Sequence, residues 1–342
     1  MHQLRIVRNS KWNGEHVPAG ICIMVLNDAA RKWLQETFKQ RVLFEEPMAR
    51  HTYFRVGGPA DAFVKPETIK ELTKLSAWLA DHALPFMVIG SGSNLLVKDG
   101  GIPGVVISLQ KCLQHIAVEE KPGSQVTLTA GSGVKLSALC RYAVDNGLAG
   151  LNFAIGIPGT VGGAIVMNAG TRLGCMGDVI ETVTFLTAKA GPVRLKAAEL
   201  NFSYRSLDSG FRTEGRGHAF PIILEADFDL AQSKDRTALK QTAEQIAEER
   251  RSRQPVHSPS AGCFFKNPAA GKTAGQLIDL AGLKGRRVGD AQVSPVHANF
   301  IVNRGAATAE DILKLKDIIQ ETVQKQFNIR LETEVKIVGT SA

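Results

Sequence analysis

Four glycines and a proline fall within the eight residues Gly156 to Gly163, GIPGTVGG. A glycine fixed on folding forfeits more backbone entropy than any other residue, so a simple turn is a poor use of four. The density predicts a place where backbone must come close to a diphosphate or a flat ring, with a tight packing corner as the plainer alternative. A second such place follows a short apolar run, in VIGSGSNLL. There Gly90 and Gly92 let backbone N–H groups turn toward an anion, and Ser91, Ser93 and Asn94 add side-chain partners. Leu95 stands where a Rossmann G-x-G-x-x-G needs its third glycine, and no Gly-Lys-Ser/Thr follows, so neither that fingerprint nor a P-loop is present. Taken alone, this stretch fits a ligand loop and an ordinary tight turn equally well.

Around these loops the hydrophobic period alternates between strand and helix. DAFVKP, PFMVIG and GVVISL read as strands. TIKELTKLSAWLADHAL reads as a helix, with Thr68 and Glu71 as a capping box and Ile69, Leu72, Leu75 and Leu79 as its apolar face. In a second unit, QVTLTAGSGVKLSALCRYAVDNGLAG reads as strand, tight turn and a helix ended by Gly147. GIPGTVGGAIVMNAG is too rich in glycine to be regular throughout. ETVTFLTA, GPVRLKAAEL and AFPIILEADFDL follow as strands, and TALKQTAEQIAEERRSR as a helix leading out. A third unit holds helix TAGQLIDLAGL, strand NFIVN and closing strand RLETEVKIVG. Its longest helix, TAEDILKLKDIIQETVQKQF, is capped by Thr308 and Asp311 and lines up Ile312, Leu315, Ile318, Ile319 and Val323. A chain of 342 residues is long enough for two or three cores. The expected units are 24–109, 110–243 and 244–335, with 336–342 returning to the first. Residues 1–23 show little periodicity and read as an extension, or as a mis-assigned start ahead of Met24.

Composition narrows the partners. An apolar content of 44% and a charged content of 22% are ordinary for a soluble fold. The net charge of +8 suits phosphorylated small molecules or a polyanion. The one dense basic run, EERRSRQ with Arg250, Arg251 and Arg253, has no interleaved aromatics, and only 6% of residues are aromatic. A stacking platform for nucleic acid is therefore not expected. Cys22, Cys112, Cys140, Cys175 and Cys263 include no C-x-x-C, which argues against a zinc or thioredoxin-like motif and suits a reducing compartment. The early apolar run AGICIMVL falls far short of the roughly 20 residues that span a bilayer.

Three segments carry candidate chemistry. Cys263, in PSAGCFFKNP, sits between a glycine and two phenylalanines. Free cysteine is most often a small buried hydrophobe. Ser260, Gly262, Lys266 and Asn267 crowd this one with polar functions, and a thiol with a pKa of about 8.5 also suits a proton donor. Both readings stand at this level. Tyr204 and Arg205, in FSYRSLDS, read first as a surface pair and second as a bidentate anion holder. Glu332 and Glu334, in LETEV, share one face if the segment is a strand. That face is exposed by default, and a catalytic glutamate there requires a raised pKa.

In chain order, TYFRVGGPADAFVKP, VIGSGSNLLV, GIPGTVGGAIVMNAG, FSYRSLDS, SAGCFFKNP, AGLKGRRVGDAQVSPVHANFIVN and LETEVKIVG resemble the UDP-N-acetylenolpyruvoylglucosamine reductases. The resemblance covers nearly everything after about residue 45. It implies an α+β chain: an FAD-binding fold of the vanillyl-alcohol-oxidase type in two subdomains, plus a C-terminal α/β substrate domain. It implies non-covalent FAD at Gly90, Ser91, Gly92, Ser93, Asn94 and Leu95, and at Gly156, Ile157, Pro158, Gly159, Gly162 and Gly163. NADPH is the implied hydride source and a UDP-sugar enolpyruvyl ether the implied substrate, taking hydride at C3 and a proton at C2. By position, Cys263 matches the proton donor, where many members carry serine. Arg205 and Glu334 match the pair that stabilises the developing enolate. Tyr204, Arg253, Asn267 and His297 fall at substrate positions, with Arg253 toward the diphosphate. Lys336 stands where some members carry arginine. No tyrosine follows Tyr204, so the chain resembles the subclass without a tyrosine-bearing substrate loop, and other residues must clamp the substrate. A cytoplasmic monomer with no membrane span and no nucleic-acid partner is expected. Two other functions compete. A flavin oxidase with a different substrate is opposed by SAGCFFKNP and LETEV. A basic nucleotide- or nucleic-acid-binding module has only the net charge behind it.

Overall fold

Three sheets, each backed by its own helices, divide the chain in the computed structural model, which describes residues 26–187, 191–211, 221–269 and 271–342. The extension expected at residues 1–23 lies outside the described residues. The first sheet takes β1 (Val42–Pro47), β2 (Pro59–Val64), β3 (Phe86–Ile89) and β5 (Ile102–Ser108) in the order β1-β2-β5-β3, while β4 (Leu95–Val97) leaves it. β5 pairs parallel with both β2 and β3. The helices α1 (Asp28–Phe38) and α2 (Ile69–Asp81) cover this sheet, burying Leu34, Phe38, Leu72, Leu75 and Leu79 against Val105 and Ile107. Ile69, expected on that face, is exposed because it lies in the first turn, ahead of the stripe that meets the sheet. The expected capping box forms by half. Thr68 accepts from the Glu71 N–H, but the Glu71 carboxylate turns to Arg41 at 2.7 Å and to the Glu67 N–H.

The second sheet is antiparallel and built from β6 (Ile116–Glu120), β7 (Gln125–Gly131), β8 (Leu148–Ala149), β11 (Ile180–Thr187), β12 (Gly191–Lys196) and β15 (Ile222–Gln232). Two short hairpins project from this unit: β9 (Gly170–Thr171) with β10 (Gly174–Cys175), and β13 (Asn201–Ser203) with β14 (Ser206–Asp208). Its core joins Leu128, Phe185 and Phe228 of the strands to Leu139 of α3 (Leu136–Asp145) and Val161 and Ile165 of α4 (Val161–Val166). Gly147, just past α3, takes the left-handed φ of +71° that the sequence predicts for a helix stop. The glycine-rich stretch is more regular than expected. α4 begins inside it, capped by Thr160, and takes in Gly162 and Gly163.

α5 (Arg236–Arg253) runs unbroken through residue 244, so the unit boundary expected there falls inside a helix; the chain leaves the helix at Gln254. Beyond it come α6 (Ala274–Leu280), β16 (Arg287–Val288), β17 (Ala291–Val293), β18 (Ile301–Asn303) and α7 (Ala309–Phe327). The three strands pair antiparallel, so parallel strand–helix alternation belongs to the first unit. Thr308 and Asp311 form the full capping box of α7, which buries Ile312, Leu315, Ile319 and Val323 and leaves Ile318 at its margin. The chain then returns: β19 (Lys336–Val338) pairs parallel with β4 of the first unit. The expected strand over RLETEVKIVG shrinks to β19, because residues 331–335 pair with the Phe264–Lys266 segment only at an isolated Thr333–Phe265 bridge and form no continuing ladder. Among the described residues, no helix is long and apolar enough to cross a membrane.

Candidate active site

The two glycine-rich loops meet face to face. Ser93 Oγ donates to the Pro158 carbonyl at 3.0 Å, and a Cβ on Gly159 would lie 3.1 Å from Ser93 Oγ. A Cβ on Gly90 would overlap Thr160 Oγ1, and Gly92 has a left-handed φ of +64° with the His51 carbonyl against it. The backbone N–H groups of Ser91, Gly92, Ser93 and Gly159 donate to no acceptor among the described residues. Ser132 Oγ is buried beside Gly162, also without a partner. Uncharged donors converging from two loops fit the diphosphate of a dinucleotide cofactor. Gly162 and Gly163 do not belong to that donor set. Their N–H groups are spent on the Ser132 carbonyl and Thr160 Oγ1, so these glycines let α4 pack closely. Leu95 and Ile157 serve the frame, one opening β4 and the other packing on the second core.

Beside this cradle stand the three residues with candidate chemistry. Arg205 occupies the two-residue turn of the β13–β14 hairpin at φ +59°, where a non-glycine residue bears strain of about 1–2 kcal/mol. Its Nε donates to Glu334 Oε1 at 2.7 Å, and its guanidinium lies 4.9 Å from the Tyr204 ring centre. The two ionic side chains are only 20% and 14% exposed. Glu334 is held by its backbone: its N–H donates to the Phe264 carbonyl at 2.8 Å, and its carbonyl accepts from Asn94 Nδ2 at 3.2 Å. Burial pushes the Glu334 carboxyl above its ordinary range, against the opposing pull of Arg205 and Lys266. Glu332, two residues earlier, points elsewhere and pairs at 3.4 Å with Lys266. The shared face expected of the two glutamates is absent because the segment is not a strand.

Cys263 bridges to Phe300, and the residues after it are clasped by Asn299. The Asn299 carbonyl accepts from the Phe264 N–H at 2.7 Å, its Oδ1 from the Phe265 N–H at 2.9 Å, and its Nδ2 donates to the Phe265 carbonyl at 2.8 Å. Burial first, and the Glu334 charge second, push the Cys263 thiol up to about 12, opposed by Arg205, Arg250 and the Asn299 amide. The thiol therefore carries its proton at neutral pH. Arg250 reaches in from α5: its side chain lies against Gly156, and its Nε is buried without a partner among the described residues.

A cavity of about 570 Å³ opens between the β9–β10 and β13–β14 hairpins, walled by Asn168, Arg172, Cys175, Tyr204, Arg205 and Asn267 among others. Arg205 thus faces the cavity on one side and Glu334 on the other. Asn267 is oriented by accepting the Ala274 N–H at 3.1 Å, and Tyr204 is exposed at the wall. Four sequence candidates lie off this wall, Glu334 and the three that follow. Cys263 sits half-buried, close enough to Arg205 and Arg250 to feel their charge. Arg253 is an exposed residue of α5 whose Nη1 pairs with Glu249 at 2.9 Å. His297 turns its ring onto Phe300 and accepts the Asn299 N–H through Nδ1 at 3.2 Å, so it braces Asn299 instead of meeting the cavity. Sequence reasoning passed over Asn168, Arg172 and Asn299, and read Arg250 only as part of a basic run. The available signal for the two asparagines was a polar residue inside an otherwise buried stretch, as in HANFIVN. Asn168, just before β9, ties β13 to the turn that follows β10, donating to the Ser203 carbonyl at 3.0 Å and accepting the Gly177 N–H at 2.9 Å.

Comparisons with known proteins agree with this arrangement. Residues 254–338 match the family model for the UDP-N-acetylenolpyruvoylglucosamine reductase C-terminal domain, and residues 60–196 match an FAD binding domain. The chain is 50% identical over 317 residues to the UDP-N-acetylenolpyruvoylglucosamine reductase of Desulfosudis oleivorans, covering 92% of this chain and 100% of the relative. It is 45% identical over 299 residues to UDP-N-acetylenolpyruvoylglucosamine reductase 2 of Symbiobacterium thermophilum, covering 87% and 92%. Among solved structures, the reductase of Thermus caldophilus superposes with a TM-score of 0.69 at 34% identity, over 87% of this chain and 98% of that one.

Proposed function

The chain belongs to the UDP-N-acetylenolpyruvoylglucosamine reductase family, and on that premise we propose how its residues divide the reduction of the enolpyruvyl ether. It is an FAD-containing oxidoreductase of peptidoglycan precursor synthesis. When bound, FAD supplies C3 of the enolpyruvyl group with a hydride taken from NADPH. The cradle of Ser91, Gly92, Ser93 and Gly159 holds the cofactor's diphosphate through uncharged donors.

Hydride arrival at C3 leaves negative charge on C2 and its carboxylate. Arg205 meets that charge from the cavity wall, and preorganised charge of this kind is a large catalytic contribution. Glu334, biased toward its protonated form by burial, donates a hydrogen bond to the enolate oxygen. The Cys263 thiol then gives its proton to C2, forming the C–H bond and leaving a thiolate. Arg205, Arg250 and the Asn299 amide stabilise that thiolate until solvent reprotonates it. Tyr204 and Asn267 position the sugar side of the substrate, Arg253 reads its diphosphate, and His297 acts through Asn299. The nucleotide substrates place this chemistry in the cytoplasm. A monomer suffices, since every group given a role comes from one chain.

The observation that supports this reading best is the buried Arg205–Glu334 contact at 2.7 Å, made across units and within electrostatic reach of a protonated thiol. The test is an anaerobic two-step experiment. NADPH should bleach the flavin, and the UDP-sugar enolpyruvyl ether should restore its colour with release of UDP-N-acetylmuramate. Reduction by NADPH without reoxidation by the ether would overturn the reading.

A further inference from the structure

Asn168 stops α4 at a position where glycine is the usual residue. The Asn168 N–H donates to the Ile165 carbonyl at 3.0 Å and the Ala169 N–H to the Ala164 carbonyl at 2.8 Å, the pair of bonds that closes a Schellman motif. That motif holds Asn168 in the left-handed region, at φ +39°. Glycine adopts this conformation at lower cost than asparagine, so the side chain needs a reason of its own. Both of its polar atoms are engaged. Oδ1 accepts the Gly177 N–H at 2.9 Å, and Nδ2 donates to the Ser203 carbonyl at 3.0 Å. The residue is 6% exposed and lies in the cavity wall.

Ser203 is the last residue of β13, two before Arg205. Arg205 holds its own left-handed φ of +59° in the hairpin turn, a conformation that persists only where the surroundings enforce it. The guanidinium of Arg205 is tied to the third unit through Glu334, and the backbone beside it is tied to the second unit through Asn168. Phe202 seats β13 on the same corner, where a Cβ on Gly177 would meet its Cγ at 2.9 Å. The other end of α4 is the cofactor loop, with Thr160 as its cap and Gly159 just before it. A helix of six residues is about 9 Å long, so a short rod joins the diphosphate cradle to the backbone that presents Arg205. Resting on the reading above, we propose that Asn168 is the positioning residue that sets Arg205 in register with the bound flavin. It acts through Arg205. The amide fixes the hairpin turn relative to α4, and α4 fixes both relative to the cofactor loop. A glycine would stop the helix equally well and leave the turn free to shift. Stabilising an enolate depends on a guanidinium that is in place before the charge develops, and a misplacement of about 1 Å costs about 10²-fold in rate.

Substitution separates the helix stop from the positioning role. Asn168→Gly keeps the left-handed stop and removes the amide. Its flavin content and its reduction by NADPH should stay within about twofold of wild type, while the limiting rate of reoxidation by the ether falls about 10–100-fold. The ether concentration that gives half that rate should move less than about threefold, because the lost interaction belongs to the transition state. Asn168→Asp keeps the acceptor for Gly177 and loses the donor to Ser203, so it should be slow as well. Arg205→Gln supplies the cross-check. Once the guanidinium is gone, adding Asn168→Gly should slow reoxidation by no more than about twofold further. Stopped-flow absorbance of the flavin reads every rate. Loss of flavin from Asn168→Gly, equal slowing of both half-reactions, wild-type reoxidation by either Asn168 variant, or full additivity with Arg205→Gln would each overturn the proposal. A wild-type enzyme that NADPH reduces but the ether does not reoxidise would instead sink the functional reading.

Discussion

Cys263 is an acid by placement. The ordinary thiol value of about 8.5 made proton donation conceivable from sequence. The site moves the thiol up to about 12, so it is held fully protonated and releases its proton only to a strong base such as an enolate. The same shift makes the sulfur a poor target for peroxide, which attacks the thiolate. Cys263→Ala should leave flavin reduction by NADPH within about twofold of wild type and slow reoxidation by the ether about 10²–10⁴-fold, the usual range for a lost general acid. Stopped-flow measurement of both half-reactions checks this, and equal slowing of the two would contradict the assigned role. Cys263→Ser should keep substantial activity. Glu334 yields a second prediction at this scale. Its pKa is raised in the fold, so the stability it contributes is fully present below the unfolded value of about 4.3 and is lost as pH rises through the folded value. Glu334→Gln mimics the neutral form. Thermal melts should therefore show the variant gaining on wild type as pH rises from about 4 to 8. A variant that loses ground to wild type over this range would show that the charged form is the favoured one, and a constant difference would show that the fold favours neither.

At the scale of elements, what the sequence made legible was whatever local chemistry decides. The helices over Ile69–Asp81 and Ala309–Phe327 were readable because caps and a 3.6-residue stripe coincide. The glycine-rich loops were readable as close approaches, but which glycine did what was not. Gly90 and Gly162 look alike in sequence, yet Gly90 touches the N-cap of α4 while Gly162 sits inside that helix against Ser132. LETEV alternates like a strand, but it forms only an isolated bridge to Phe265, and Glu334 finds its partner in Arg205, 129 residues away. No local rule reports such a partner. The Gly90 contact carries its own prediction. A Cβ there would collide with Thr160 Oγ1, and Thr160 is only 2% exposed, so the hydroxyl has little room to retreat. The loops must then part, separating the Ser93 and Gly159 donors. Gly90→Ala should purify with less than about half the wild-type flavin, a ΔΔG for the collision of about 1–3 kcal/mol being enough for that. Flavin-to-protein absorbance ratios measure it, and a full complement of cofactor would remove this loop junction from the binding site.

The whole molecule places its chemistry where its three units meet, which is also where sequence says least. The cores themselves were visible as runs of buried apolar residues in each unit. Their junction depends on contacts such as Asn94 to Glu334, which spans 240 residues. The returning tail is the clasp of that junction. Lys336–Val338 pairs with Leu95–Val97, the strand that leaves the Gly90–Asn94 loop. Lys336 N–H donates to the Asn94 carbonyl, Lys98 N–H to the Val338 carbonyl, Gly100 N–H to the Thr340 carbonyl, and Thr340 N–H to the Gly101 carbonyl. Val338 is 3% exposed in the cluster that joins Met48, Phe63 and Val97. Burying Val338 contributes about 2 kcal/mol, and four hydrogen bonds add about 1 kcal/mol each. Removing residues 336–342 should therefore lower stability by about 4–6 kcal/mol, or the melting temperature by about 10 °C. It should also free Asn94 from one of its two anchors to the third unit, so flavin retention and the Arg205–Glu334 register should fall together. Removing only Ser341 and Ala342 leaves every bond of the ladder in place and should change neither melting temperature nor flavin content. Equal behaviour of the two truncations would mean that the first and third units are held together by side-chain packing alone. A graded loss confined to the longer truncation would make the tail the strap that keeps the cofactor loop against the catalytic glutamate.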